Sequence, residues 1–226
     1  MKKNDVVHFD DYAKSYCNEL SKNHRYIPGN TDWYSEYKVK IARKLNLDKP
    51  NSILDYGSGV GLSLPYFKRY FQNASICAYD PSIASLEVAK SNNPWVNLCE
   101  PGSKFDLVFV AGVVHHISID DREEEIKKIV ASVNPGGRIL IFEHNPFNPI
   151  TRRLVSTCEF DKDANLVSKS KLKQFFGALG EEVEVEHEGF CLFFPPALRR
   201  FSSLEKMLSR VPFGGQYFVQ FRRSQA

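Results

Sequence analysis

The sequence predicts an α/β domain: a seven-stranded, mostly parallel sheet with helices on both faces and its last strand antiparallel. Three observations carry this. Apolar runs of strand length alternate with segments of helical period. No fixed-period repeat or low-complexity segment interrupts the alternation. The 226 residues suit one domain with a full core.

The elements follow in order. "DDYAKSYCNEL" reads as a short helix. In "TDWYSEYKVKIARKLNL", Tyr34, Tyr37, Ile41 and Leu45 recur at helical spacing behind Thr31 or Asp32 as cap, and Lys49-Pro50-Asn51 ends the segment. "SILDYG" is a buried strand, and the helix after it carries Val60, Leu64, Phe67 and Phe71 on one side. Pro65 requires that helix to begin near Leu62 or Ser63, where a missing N–H costs nothing. "SICAYD" is the second strand, "PSIASLEVAKSNN" a capped helix, "VNLC" a brief strand and "FDLVFVAG" a strongly apolar fourth. "DDREEEIKKIVASVNPGG" has acids in its first turn, lysines further on, an apolar row of Ile126, Ile129, Val130 and Val133, and a Pro-Gly-Gly stop. "GRILIFEH" is the fifth strand and "SKLKQFFGALG" a helix ended by Gly180. "EVEVEHEG" and "QYFVQFRR" are expected to pair antiparallel, since no clear crossover helix joins them.

Composition narrows the class. With 42% hydrophobic residues and a mean hydropathy of -0.35 the chain reads as soluble and globular. Its longest apolar stretch, around Leu107 to Val114, is too short to cross a bilayer. The polar start MKKNDVVHFDDY lacks the apolar core of a signal peptide, so a cytoplasmic location is expected. Five cysteines, Cys17, Cys77, Cys99, Cys158 and Cys191, show no CxxC spacing and are expected as reduced, packed thiols. Net charge is +3, but Arg199, Arg200, Lys206, Arg210, Arg222 and Arg223 crowd the C-terminal end. That bias suits an anionic substrate, peripheral contact with a membrane surface, or simply a solvated face.

Chemistry is expected where the parallel strands end, the edge at which open α/β sheets bind ligands. "ILDYGSGVGLSLPYF" is the first such edge. Gly57 lets the chain turn out of the strand, Gly59 removes a Cβ where a ligand would touch backbone, and Gly61 permits close approach to the next helix. A dinucleotide loop is written GxGxxG; here the third glycine arrives one residue early and Leu62 follows it, which argues against NAD.

"DYGSGVG" resembles the acidic-Gly-x-Gly-x-Gly signature of class I methyltransferases that use S-adenosylmethionine. "FDLVFVAGVVHHI" is similar to that family's fourth-strand motif and "VNPGGRILIFE" to its turn into the fifth strand, so the likeness spans roughly residues 51 to 144. It implies a Rossmann-like single domain over residues 1–226: an N-terminal helical cap over 1–50, a cofactor-binding core over 51–144, and a substrate-side insertion with the C-terminal strands over 145–226. It also implies roles. Asp80 would hold both ribose hydroxyls, and Asp55 would order the loop and meet the amino group of methionine. Ser58, Pro81 and Ile83 would line the cofactor, Ile83 at the adenine face, with Ala111 and Gly112 beneath it. "NLCEPGSKFD" departs from the pattern, leaving Cys99 and Glu100 as weak candidates for the adenine amino contact.

Methyl transfer from a sulfonium needs in-line placement, and a neutral hydroxyl acceptor also needs a base. His115, His116 and Glu143 are the catalytic candidates; core packing and capping are the competing readings of the same residues. His144, Asn145, Arg152, Tyr16 and Trp33 are candidates for holding substrate, and Tyr12 and Tyr37 for covering the pocket. No metal is expected, because His115, Glu143 and His144 lack a recognised ligand spacing. "NPFNPITRRLVSTCEFDKDANLVS" is expected as a lid or binding loop. "GFCLFFPPALRRFSSLEKMLSRVPFGG" would lie on a bilayer, close the site or join a second copy; the oligomeric state is not legible.

The expected function is methylation, at oxygen, of a small or lipid-linked molecule such as a sugar or glycolipid. A nucleic-acid methyltransferase is the alternative, but AGVVHH stands where base-methylating enzymes carry Asn/Asp-Pro-Pro-aromatic, and the basic C-terminus lacks interleaved aromatics. A non-catalytic S-adenosylmethionine-binding module fits the same glycines.

Overall fold

The computed structural model describes residue 10 and residues 32–100, 102–161, 163–179, 182–193 and 211–225. Tyr12, Tyr16, Cys17, Gly180, Arg199, Arg200, Lys206 and Arg210 lie outside them, as does most of the expected first helix. Helix α1 (Asp32–Leu45) leads into β1 (Ser52–Tyr56), α2 (Leu64–Tyr70), β2 (Ser75–Tyr79), α3 (Ile83–Asn92), β3 (Asn97–Leu98) and β4 (Phe105–Ala111). Then come α4 (Arg122–Ala131), β5 (Val133–His144), α5 (Pro149–Thr157), α6 (Lys169–Gly177), β6 (Val183–Cys191) and β7 (Gln216–Arg223).

The strands form one sheet in the order β3-β2-β1-β4-β5-β7-β6. Pairs among β1 to β5 are parallel, and β7 runs antiparallel to both β5 and β6, as the sequence predicts. Alternation along the strands feeds two apolar layers. Ile53, Leu107, Phe109, Leu140 and Phe142 meet Val39 and Ala42 of α1 and Leu64 and Phe67 of α2. Leu54, Val108, Ile139 and Val219 meet Ile126 and Ile129 of α4 and Phe176 of α6. Leu107, Val108, Phe109 and Val110 are fully buried, and each contributes about 1.5–3 kcal/mol by leaving water. The order reverses between β1 and β4, so the ends of those strands open a crevice.

Four expectations change. Helix α1 is rotated: Val39 and Ala42, with Asn46 just past its end, lie deepest, while Tyr34, Tyr37, Ile41 and Leu45 are half-buried along the flank. Its small side chains let the backbone lie close to the sheet, and the Asn46 amide donates to Gln220 of β7 at 3.0 Å. Pro-Gly-Gly does not stop α4; Ser132 does, and Val133 already pairs with Phe105. The register then jumps to Leu107 opposite Arg138, so residues 134–137 bulge from β5. Asp106 holds that bulge, accepting from Asn134 Nδ2 at 2.8 Å and from Asn51 N at 2.8 Å.

Cys77 and Cys99 form a disulfide, Cα to Cα 5.8 Å, because β3 runs beside β2; a separation of 22 residues gave no sign of it. The supposed loop after β5 contains α5, capped by Asn148 Oδ1, which accepts from Thr151 N at 3.0 Å, with Pro149 at its first position. No helix among the described residues is long and apolar enough to cross a membrane.

Candidate functional site

At the ends of β1 and β2 the glycine loop folds back, and the N–H groups of Gly57 and Ser58 both donate to Tyr79 O, at 2.7 and 2.9 Å. The glycines are bare for different reasons. A Cβ on Gly57 would overlap the Val113 side chain, and one on Gly61 would press on Leu64 and Ala89. Around Gly59, at φ +52°, nothing lies within 4 Å of where a Cβ would stand. Packing therefore does not require that gap. The Gly59 N–H donates to Asp80 Oδ2 at 2.7 Å, and Ser82 N donates to Asp80 Oδ1 at 2.9 Å. Burial raises the Asp80 pKa against those two donors, and the nearby Asp10 adds to the rise.

Two oxygens beside the loop are buried without a hydrogen-bond partner: Asp55 Oδ2 and Ser58 Oγ. An orphaned buried carboxylate oxygen is costly unless something polar reaches it. Burial pushes the Asp55 pKa up to about 7, the charge of Asp80 adding and Lys38 opposing. Lys38 comes from α1, where burial depresses its pKa and the charges of Cys191, Glu143 and Asp55 pull it back. Sequence reasoning missed this lysine. Beside Asp80 a cleft of 450 Å³ is lined by Tyr79, Pro81, Ile83, Leu98 and Cys99; Ile83 is 70% exposed there.

The second group of residues leaves β4 and β5. Gly112, at φ +75°, follows Ala111 and donates to Phe142 O at 2.9 Å, and a 3-10 turn over Val114–His116 comes next. Glu143, fully buried, accepts from Val113 N at 3.1 Å and Val114 N at 2.7 Å through Oε1. Its Oε2 lies 2.6 Å from His115 Nδ1. His115 Nε2 and His116 Nε2 both point at Asp161 Oδ1, at 3.5 and 3.4 Å, and His116 Nδ1 lies 3.8 Å from Asp163 Oδ1. The His144 ring is 5.0 Å from that of His115.

Burial alone would hold the His115 ring neutral, but Glu143 and Asp161 outweigh it and raise its pKa to about 9. Burial, then the charge on His115, hold His116 down at about 4 and His144 at about 3. Burial favours neutral acids too, yet His115 outweighs it and keeps Glu143 and Asp161 both at about 2. Asp161 is brought here by the segment after α5: Asn165 N donates to His115 O at 2.7 Å, and Arg122 holds Asn165 O at 3.1 Å. Neither Asp161 nor Asp163 was foreseen, since "DKD" carries no ligand spacing.

The remaining candidates scatter. Asn145 is buried under the turn before β7, with Nδ2 donating to Pro212 O and Gly214 O at 2.9 and 2.8 Å and Oδ1 accepting from Phe147 N. Arg152 is exposed on α5. Trp33 is half-buried in an aromatic group with Tyr34, Tyr37 and Phe193. Tyr16 lies outside the described residues.

A family model described as "Methyltransferase domain" matches residues 32–185. The chain is 24% identical over 142 residues to a phosphoethanolamine N-methyltransferase of Plasmodium falciparum, covering 57% of this chain and 53% of that protein. It is 25% identical over 151 residues to a demethylmenaquinone methyltransferase of Streptomyces avermitilis, covering 62% and 61%. The chain spans between 31% and 61% of the lengths of the curated relatives it matches. Among solved structures, the plantazolicin methyltransferase BpumL in complex with SAH superposes with a TM-score of 0.65 at 15% identity, over 96% of this chain and 94% of that one, a likeness that speaks for the fold.

Proposed function

Because this chain belongs to the methyltransferase domain family, we propose that it transfers a methyl group from S-adenosylmethionine to an oxygen of a small or lipid-linked molecule. The observation that carries the reading is the pairing of an open gap at Gly59 with orphaned buried oxygens on Asp55 and Ser58. Both fit the cofactor. Asp55 Oδ2 suits an ammonium, the Gly59 gap suits a ligand lying on backbone, and Asp80 keeps lone pairs for vicinal hydroxyls after accepting from Gly59 and Ser82. The open cleft at Ile83 and Leu98 suits a flat apolar ring.

When bound, the cofactor supplies an electrophilic methyl carbon on a cationic sulfur. The chain's own task is then to hold an acceptor hydroxyl in line with that carbon, which replaces a bimolecular encounter by a positioned one. The hydroxyl proton would have to leave as the oxygen is methylated, and His116 and His144, the rings that burial keeps neutral, are the side chains here that would take it. His115 and His116, three and four residues past Gly112, gather with His144 at the end of β5 on the matching strand edge, and they support oxygen over carbon as the target.

Calorimetric titration with S-adenosylhomocysteine tests the first half: one site per chain is expected, with Asp80→Ala weakening it about 100-fold or more. No heat and no shift in melting temperature with either S-adenosylmethionine or its product would overturn the reading.

A further inference from the structure

We propose that His115, His116 and Asp161 form a binding site for one divalent first-row transition ion of the zinc type. The three residues present one ligand atom each, all within 4.8 Å of one another. Imidazole nitrogen and carboxylate oxygen are the donors such ions take.

Two of the three donor pairs stand at ligand spacing rather than hydrogen-bond spacing, and the third lies within 4.8 Å. An N–H donating to a carboxylate settles near 2.7–2.9 Å. His115 Nε2 and His116 Nε2 instead stand 3.5 and 3.4 Å from the same oxygen of Asp161. Ligands bonded at about 2.0–2.1 Å to a tetrahedral ion are separated by about 3.3–3.4 Å, the edge of that tetrahedron.

The outer atoms point the same way. A metal-bound imidazole usually gives its other ring N–H to a carboxylate, which fixes the ring and its tautomer. The His115 ring has such a partner, and the His116 ring has a carboxylate near it, beyond hydrogen-bond distance. His115 Nδ1 faces Glu143 Oε2 at 2.6 Å, with Glu143 itself held by Val113 N and Val114 N, and His116 Nδ1 faces Asp163 Oδ1 at 3.8 Å. In each ring Nε2 is the nitrogen that faces Asp161. His115 is sealed, but His116 and Asp161 keep 18% and 14% of their side-chain surface, so the fourth position is open to water or an acceptor hydroxyl. On the methyltransferase reading, on which this part alone rests, an ion there would lower the hydroxyl's pKa, and His144, outside the ligand set, stands 5.0 Å from His115.

The test uses the full chain, stripped with a chelator and titrated with zinc or cobalt(II), with bound metal counted by mass spectrometry and cobalt geometry read from its visible absorption. One equivalent per chain with the intense bands of a tetrahedral site is expected. Asp161→Ala and His116→Ala should each weaken zinc binding about 100-fold, and Asp163→Asn about 10-fold, with circular dichroism and S-adenosylhomocysteine affinity held as controls. Wild-type chain that folds and binds neither ion more tightly than about 100 μM, or an affinity unmoved in both alanine variants, overturns the site. Metal bound and lost as described without any binding of S-adenosylhomocysteine would uphold the site and sink the methyl-transfer reading instead.

Discussion

Glu143 Oε2 lies 2.6 Å from His115 Nδ1 while the same carboxylate, through Oε1, accepts the backbone N–H groups of Val113 and Val114. One buried acid thus fixes both the turn after β4 and the imidazole it presents. Glu143→Gln keeps the shape and removes the charge. Its expected effect is a loss of about 10–100-fold in turnover and in zinc affinity, with S-adenosylhomocysteine affinity within about threefold of wild type. Equal losses in all three would mean that the residue only supports the fold.

The two outer glycines and the middle one should separate experimentally. Each has a positive φ, so an alanine costs about 1–2 kcal/mol at any of them. Gly57→Ala must also displace Val113, whereas Gly59→Ala meets open space. Thermal melts without ligand should therefore fall further for Gly57→Ala. Titration with S-adenosylhomocysteine should show Gly59→Ala weakened about 10-fold or more, out of proportion to its melting temperature.

Asp55 predicts a pH dependence. Its folded pKa of about 7 lies above that of an unfolded carboxylate, so its contribution to stability is full below about pH 4 and is lost as pH rises through 7. Ligand binding runs the other way. A cationic amino group prefers the ionised acid, so affinity for S-adenosylhomocysteine should rise between pH 5 and about 7 and then level, with a proton released on binding at the lower pH. Asp80 and Lys38 are the charges that face Asp55, and Lys38→Met, by removing the one that opposes the rise, should move the midpoint upward. Calorimetry in two buffers of different ionisation enthalpy measures the proton; a flat affinity from pH 5 to 8 would contradict the assignment.

Asn145 should behave as an anchor. Alanine there strands Pro212 O, Gly214 O and Phe147 N, a loss of about 2–4 kcal/mol and several degrees in melting temperature. S-adenosylhomocysteine affinity should stay within about threefold, and a variant that melts like wild type would remove the anchoring role.

The strands, their directions and the glycine loop were legible because they rest on local rules: apolar and period-two runs, three glycines after an apolar strand, and a capped helix at Ser82, whose Oγ accepts from Ser85 N at 3.1 Å. The half of the site made by distant residues was not. Lys38 sits on a helix whose aromatic row drew attention to the wrong face, and Asp161 reaches His115 only after α5 and a second 3-10 turn have redirected the chain. The disulfide escaped for the same reason, since its partners meet through a strand of two residues. Sequence spacing reports neighbours along an element; it is silent on which elements the tertiary fold later sets side by side.

The position of β7 constrains biosynthesis. Of the seven strands in the sheet it is the last to leave a ribosome, yet it belongs between β5 and β6, and β6 pairs with no other strand among the described residues. Until residues 216–223 emerge, β5 and β6 both lack the strand that lies between them in the finished sheet, and β5 is left open beside Glu143 and His144. A nascent polypeptide arrested before that point would expose sticky margins to its neighbours, and the edge carrying Glu143 and His144 would be among the final parts of the sheet to mature.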